Sequence, residues 1–203
     1  YPDYIFTAYG LPPHDANTWQ EKIAADIRKL AAEKIIVAVG EIGLDYHYNL
    51  SPQEEQRKVF RRLLQLAQEV DLPAIIHSRE STKDMLTILH EENQGKLRGV
   101  LHCFSGDEEL GQQALEMGLM ISFTGTVTFP KATTVRTAAK EIPLDKIMIE
   151  TDCPFLSPQG KRGQRNEPSY VVAVAEAIAK EKNLTVEEVA AATSRNAREF
   201  FGI

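Results

Sequence analysis

Glu41, His77, His102 and Asp152 each close a short, nearly continuous apolar run, at positions 36–41, 74–77, 100–102 and 147–152. Carboxylates and neutral imidazoles are ligands for zinc and related divalent ions. The chemistry such a set supports is metal-assisted hydrolysis, in which a bound cation brings the pKa of water toward ~7 and a second ion ~3.5–4 Å away steadies the leaving oxygen. Asp152 would orient or deprotonate that water. A single histidine ending a strand is more often a hydrogen-bonded core residue. Four metal-type residues at four equivalent positions favour a site. A mixed oxygen and nitrogen set suits one or two ions of zinc, manganese or nickel, with magnesium less at ease beside two imidazoles.

Apolar runs of this length predict strands of a parallel sheet covered on both faces. In such sheets ligands gather at the carboxyl ends of the strands. The spacing predicts a first strand over 4–9, a proline-broken turn over 10–15 and a helix over 18–33. Ser51-Pro52-Gln53-Glu54 has the form of a capping box opening a helix whose buried stripe is Val59, Leu63, Leu66, Ala67 and Val70. Strands ending at His77, His102, Phe123 and Asp152 follow, separated by helices. Three closing helices come after the irregular stretch 154–168, the second opened by a capping box at Thr185-Val186-Glu187-Glu188.

Alternation of this kind means right-handed crossovers in a parallel sheet. An open sheet gathers its site from two or three strands, whereas a barrel brings every strand end into one ring. Ligand-type residues on four strands favour the ring. The expected fold class is therefore α/β, a TIM (β/α)8-type barrel over a single domain 1–203. A barrel needs eight strands, and the first two are missing from this reading of the chain. Residue 1 is Tyr rather than Met, so the chain is expected to begin partway through a larger fold.

The 203 residues are 43% hydrophobic and 26% charged, ordinary for a globular protein, with a net charge of −6. That charge argues against broad nonspecific adhesion to nucleic acid or membranes, but not against a nuclease that grips its substrate through metal ions and a local cationic patch. Two cysteines, Cys103 and Cys153, make no disulfide framework, and a reducing cytoplasm is the default compartment. Each follows a proposed ligand, and strand alternation predicts that both are small buried groups pointing away from the barrel axis. No apolar stretch is long enough to span a membrane.

Taken together, several segments resemble one family. Gly40-Glu41-Ile42-Gly43-Leu44-Asp45-Tyr46 resembles the GE(I/C)GLD(Y/F) motif of the TatD-like metal-dependent hydrolases. Pro73 through His77-Ser78-Arg79 resembles their strand ending in HxR, and His102-Cys103-Phe104-Ser105-Gly106 their HxFxG. Glu150-Thr151-Asp152-Cys153-Pro154-Phe155-Leu156 is similar to ETDxPxL, and Arg165-Asn166-Glu167-Pro168 to RNEP. The resemblance covers essentially the whole chain. It implies a TIM-barrel metallohydrolase that cleaves phosphodiester bonds in DNA, typically single-stranded and from the 3′ end. It further implies that Glu41 bridges two divalent metals, that His77 and His102 complete one site, and that Asp152 serves the other and moves a proton.

Two departures stand out. The HxH pair that opens most members occurs nowhere in the chain, and Tyr1 falls near the start of the family's third strand. In the following turn, Pro12 takes the place of the first histidine of GxHPH. Arg79, Arg165 and Asn166 are the candidates for phosphate contact. Asp45 is a candidate partner for a metal ligand, and His14 either reaches the rim or is held in solvent by its proline-rich loop. Lys161 and Arg162 are expected on a solvated loop, and His47 and His90 on the surface. Two other functions share these motifs or their loss: a deacylase of D-aminoacyl-tRNA or another ester, and a non-catalytic metal-binding remnant. Oligomeric state has no signature in the sequence.

Overall fold

The computed structural model describes residues 4–93 and 95–203. Tyr1, placed above at the start of a strand, lies outside them. The chain divides into two compact units, 1–101 with 201–203, and 102–200.

In the first unit four parallel strands follow one another in chain order: β1 (Thr7–Tyr9), β2 (Ile36–Asp45), β3 (Ala74–Arg79) and β4 (Gly99–Leu101). Helices α1 (Glu21–Ala32), α2 (Gln53–Glu69) and α3 (Thr82–Glu92) make the crossovers. The helix expected from 18 begins instead at Glu21, because Thr18 closes a separate 3-10 segment, Pro13–Thr18, and Trp19 and Gln20 leave helical geometry before α1 starts. Ile27, Leu63, Leu64, Leu66, Ile76, Met85, Ile88 and Leu89 are fully buried and form this unit's core.

β2 differs most from expectation. It does not stop at Glu41 but runs ten residues, to Asp45. Its ladder with β3 is irregular between Val39 and Ile42 and then resumes as Ile42↔Ile76, Gly43↔His77 and Asp45↔Arg79. Glu41 thus sits at the irregularity, a feature that re-aims a side chain. The resumed ladder depends on Gly43, whose φ is +142° and where a Cβ would stand 2.0 Å from the His77 carbonyl oxygen. No other residue type allows β2 to lie so close to the His77 backbone.

Ser51 does not form the anticipated capping box: Pro52 is the N-cap and makes no side-chain cap bond. The Ser51 hydroxyl instead donates to the His14 carbonyl at 2.7 Å and accepts from the Asn17 amide at 3.1 Å. α2 is thereby fastened to the 3-10 segment. Gln56, a polar residue outside the expected stripe, is fully buried on this helix, whereas Val70 is only half-buried.

The second unit holds two parallel strands, β5 (Met120–Phe123) and β6 (Ile147–Ile149), paired Ile121↔Ile147 and Phe123↔Ile149. Helices α4 (Glu108–Glu116), α5 (Thr133–Glu141), α6 (Val171–Lys182) and α7 (Val186–Phe201) complete it. Two α-helices close the chain, not three: the turn Pro168–Tyr170 runs directly into α6. The second capping box forms as expected, with Thr185 Oγ1 accepting from the Glu188 amide at 3.1 Å and Glu188 accepting from the Thr185 amide at 2.8 Å. Asn196 on α7 donates to the carbonyls of Leu144 and Ile147 at 2.8 and 2.7 Å, securing the entry to β6. Among the described residues, six parallel strands with flanking helices therefore make up the α/β fold. None of the described helices is long and apolar enough to cross a membrane.

Replacing Gly43 by Ala forces a methyl group onto the His77 carbonyl. Gly43→Ala is expected to cost about 3 kcal/mol, from overlap and positive-φ strain together, and to lower Tm by roughly 6–12 °C. A calorimetric melt checks this.

Candidate metal centre

Within the first unit, β2 and β3 bring Glu41 and His77 together: His77 Nδ1 lies 2.7 Å from Glu41 Oε1. On the other side of the ring, His77 Nε2 lies 3.0 Å from Asp45 Oδ2. Asp45 is 1% exposed at the end of β2, and its carboxylate can only accept. Nε2 therefore carries a proton and donates it to Asp45. In a neutral imidazole that leaves a lone pair on Nδ1 facing a carboxylate oxygen at hydrogen-bond distance. Two acceptors meet so closely only when a proton or another cation joins them. The donor set thus fits a divalent ion.

Asp45 is heavily constrained. Its Oδ1 accepts from the Tyr48 amide at 2.8 Å, and its Oδ2 also takes a bond from His14 Nε2 at 3.2 Å. Gln56 Oε1 accepts from the Asp45 amide at 2.8 Å, and Gln56 Nε2 donates to the Asp45 carbonyl at 3.1 Å. Burial works against the charge on Asp45, yet the Tyr48 amide, the bond from His77 and the two nearby rings hold its carboxyl below the ordinary range. His14 reaches the rim after all, held there by Ser51. Arg79, the last residue of β3, lies with its guanidinium 4.7 Å from the ring centroid of Tyr48, which is 57% exposed.

The second unit begins with His102, joined directly to the last residue of β4. Its Nδ1 lies 3.3 Å from Glu150 Oε2, and Glu150 Oε1 accepts from the Cys103 amide at 2.7 Å. Burial opposes ionisation of Glu150, but bonds from His102, the Cys103 amide and Ser122 hold its carboxyl below the ordinary range. In sequence, nothing sets Glu150 apart from Asp152. The signal was present, since it is a metal-type residue in the same run as Asp152, but one run offers no way to tell ligand from partner. Asp152 follows β6 with φ +56°.

Asn166 is 2% exposed. Its amide nitrogen donates to the carbonyls of Thr151, at 2.7 Å, and Phe155, and its Oδ1 accepts from the Glu167 amide at 2.9 Å. Both amide hydrogens are engaged, so Asn166 ties down the loop that carries Asp152, and a bond from this amide to phosphate would require releasing one of them. Arg165 is exposed, as are Lys161, Arg162, His47 and His90. The cysteines depart from expectation: Cys103 is half-buried and Cys153 exposed. Strand alternation does not govern them, because β4 ends at Leu101, β6 at Ile149, and Cys103 has φ +48°.

Glu41 and His77, both in the first unit, present a carboxylate oxygen and a ring nitrogen of the kinds that a metal ion takes, 2.7 Å apart. The sequence profile of the family described as TatD related DNase matches residues 1–202, and the chain belongs to that family. YabD of Bacillus subtilis, named an uncharacterized metal-dependent hydrolase, is 48% identical over 201 residues, 99% of this chain and 79% of that protein. A protein of Erwinia amylovora named 3′-5′ ssDNA/RNA exonuclease TatD is 35% identical over 206 residues, 99% of this chain and 80% of that one. Among solved structures, the TatD homologue YjjV of Escherichia coli matches with a TM-score of 0.90 at 28% identity, over 98% of this chain and 77% of that chain. The fold is accordingly the TIM-barrel-type α/β fold of TatD proteins, and the chain is a TatD-family metal-dependent hydrolase.

If Asn166 secures the loop, Asn166→Ala removes its bonds to the carbonyls of Thr151 and Phe155 and is expected to cost about 1–2 kcal/mol. Limited proteolysis of the variant is expected to cut within 151–168 faster than in the wild type, while Arg165→Ala leaves the digestion pattern unchanged.

Proposed function

We propose that this chain is a nuclease that shortens single-stranded DNA from its 3′ end, using one or two divalent ions at Glu41, His77 and His102. The supporting observation is the Glu41 carboxylate 2.7 Å from His77 Nδ1, in a member of the TatD related DNase family. The β3–β4 ladder supports the inclusion of His102. Its last pair is Ile76↔Leu101, so the next residues along the two strands are His77 and His102.

When bound, the ion supplies the Lewis acidity that makes water a competent nucleophile toward phosphorus at neutral pH. Glu150 supports His102 as Asp45 supports His77, each carboxylate accepting from one ring nitrogen so that the other is left as the ligand atom. Asp152 takes the proton of the attacking water as the new O–P bond forms. The scissile P–O ester bond breaks, and its leaving oxygen is protonated from solvent. Arg79 and Arg165 hold phosphate oxygens; with a net charge of −6, the grip on a polyanion has to be local.

The test is a 5′-labelled single-stranded oligonucleotide incubated with manganese, magnesium, nickel or zinc. Stepwise shortening from the 3′ end is expected, stopped by chelation. His77→Ala is expected to lose bound metal and activity together. Asp152→Asn is expected to retain metal but slow turnover by about 10²–10⁴-fold. An intact oligonucleotide under every ion, with amino acid released from D-aminoacyl-tRNA in parallel, would overturn the nuclease reading in favour of ester hydrolysis.

A further inference from the structure

The geometry points to Asp45 as the positioning residue of the metal centre, with His14 as the second arm that holds it. This inference rests on the reading of His77 as a metal ligand, and deepens it. Asp45 touches no reacting atom; it acts through His77.

Asp45 Oδ2 stands between two imidazoles, 3.0 Å from His77 Nε2 and 3.2 Å from His14 Nε2. A carboxylate offers no proton, so both rings present N–H to it. For His77 this selects the Nε2-protonated tautomer and leaves Nδ1, the atom beside Glu41, as the electron-pair donor. Orientation is selected as well, because the bond from Nε2 to the buried Asp45 carboxylate fixes how the ring is turned. His14 supplies a second bond to the same oxygen, and its ring stands edge-on to His77 with centroids 5.8 Å apart. Its own support is the Ser51 hydroxyl on its carbonyl, at 2.7 Å. The proline-broken segment Pro13–Thr18, which reads in sequence as an irregular loop, thereby acquires a role at the site. It carries a residue that locks the partner of a ligand.

A simpler role exists for Asp45, that of capping the turn through Oδ1 and the Tyr48 amide. The two roles separate in Asp45→Asn. The asparagine Oδ1 still accepts from Tyr48, so the cap survives. Its amide nitrogen, however, donates toward His77 Nε2, which must then accept, and the ring proton moves to Nδ1, the ligand atom. A capping role predicts no change in metal binding. A positioning role predicts a large one.

Calorimetric titration with zinc alone and with manganese alone, on the full chain, makes the comparison. Asp45→Asn is expected to weaken binding about 10–100-fold, with thermal melts of the metal-free protein monitoring folding separately. His14→Phe is expected to weaken it less, about 5-fold and so below the roughly 10–100-fold typical of a direct partner, because His14 acts through Asp45, and His14→Gln, which restores a donor, to recover most of the loss. In zinc-loaded wild type, long-range 1H–15N spectra are expected to place the His77 proton on Nε2. Wild-type affinity in Asp45→Asn, or a proton on His77 Nδ1 in the zinc-loaded wild type, would overturn the positioning role. Should Asp45→Asn fail to fold, the wild-type tautomer decides. A wild-type chain that takes up neither ion, and so behaves like Glu41→Gln, overturns the metal reading itself and the positioning role with it.

Discussion

The imidazole of His77 is held between two carboxylates, Glu41 on Nδ1 at 2.7 Å and Asp45 on Nε2 at 3.0 Å. One ring cannot satisfy two anions with one proton, and most of the first unit's irregular features serve this arrangement. Gly43 lets β2 resume its ladder beside the His77 backbone. The irregularity between Val39 and Ile42 sets Glu41 at a break in the ladder. Gln56, fully buried on α2, grips both backbone polar groups of Asp45. A buried polar side chain is tolerated when its bonds are made, and the bonds of Gln56 fix the end of a strand.

The second unit repeats the principle with different parts. Glu150 accepts from His102 and from the Cys103 amide, and Asn166 closes the loop around Asp152 by bonding to the carbonyls of Thr151 and Phe155. Cys103 and Asp152 both adopt left-handed backbone conformations, with φ of +48° and +56°. Non-glycine residues in that region carry strain of order 1–3 kcal/mol and persist where the surroundings over-determine them. At both positions the surroundings are the hydrogen bonds of a loop leaving a parallel strand. In each unit a histidine has one ring nitrogen beside a carboxylate, Asp45 for His77 and Glu150 for His102.

Much of this was legible in the sequence. Apolar runs located β2 through β6, and helical periodicity found α2 and its stripe, because burial of one face is written in the spacing of Val59, Leu63 and Leu66. The ligand types at the run ends singled out Glu41, His77, His102 and Asp152, and the fold sets Glu41 beside His77 at 2.7 Å. What escaped is what depends on contacts distant in sequence. Ser51 has the local signature of a helix cap, yet its hydroxyl bonds to His14, 37 positions away. β2 extends past Glu41 because Gly43 faces His77, a pairing no local pattern reveals. Asp45 and Glu150 are ordinary acids in sequence and become partners of histidines only through register. Cys153 is exposed because the chain has left β6 at Ile149, beyond which strand alternation no longer applies.

The asymmetry of His77 is therefore the central claim: Nε2 belongs to Asp45 and Nδ1 to the cation. Anomalous diffraction from crystals soaked in zinc or manganese reads this directly. The expected result is a peak ~2.0–2.2 Å from His77 Nδ1 and from a Glu41 carboxylate oxygen, with Nε2 still bonded to Asp45. A peak on the Nε2 side of the ring, or metal bound only away from Glu41 and His77, would contradict it.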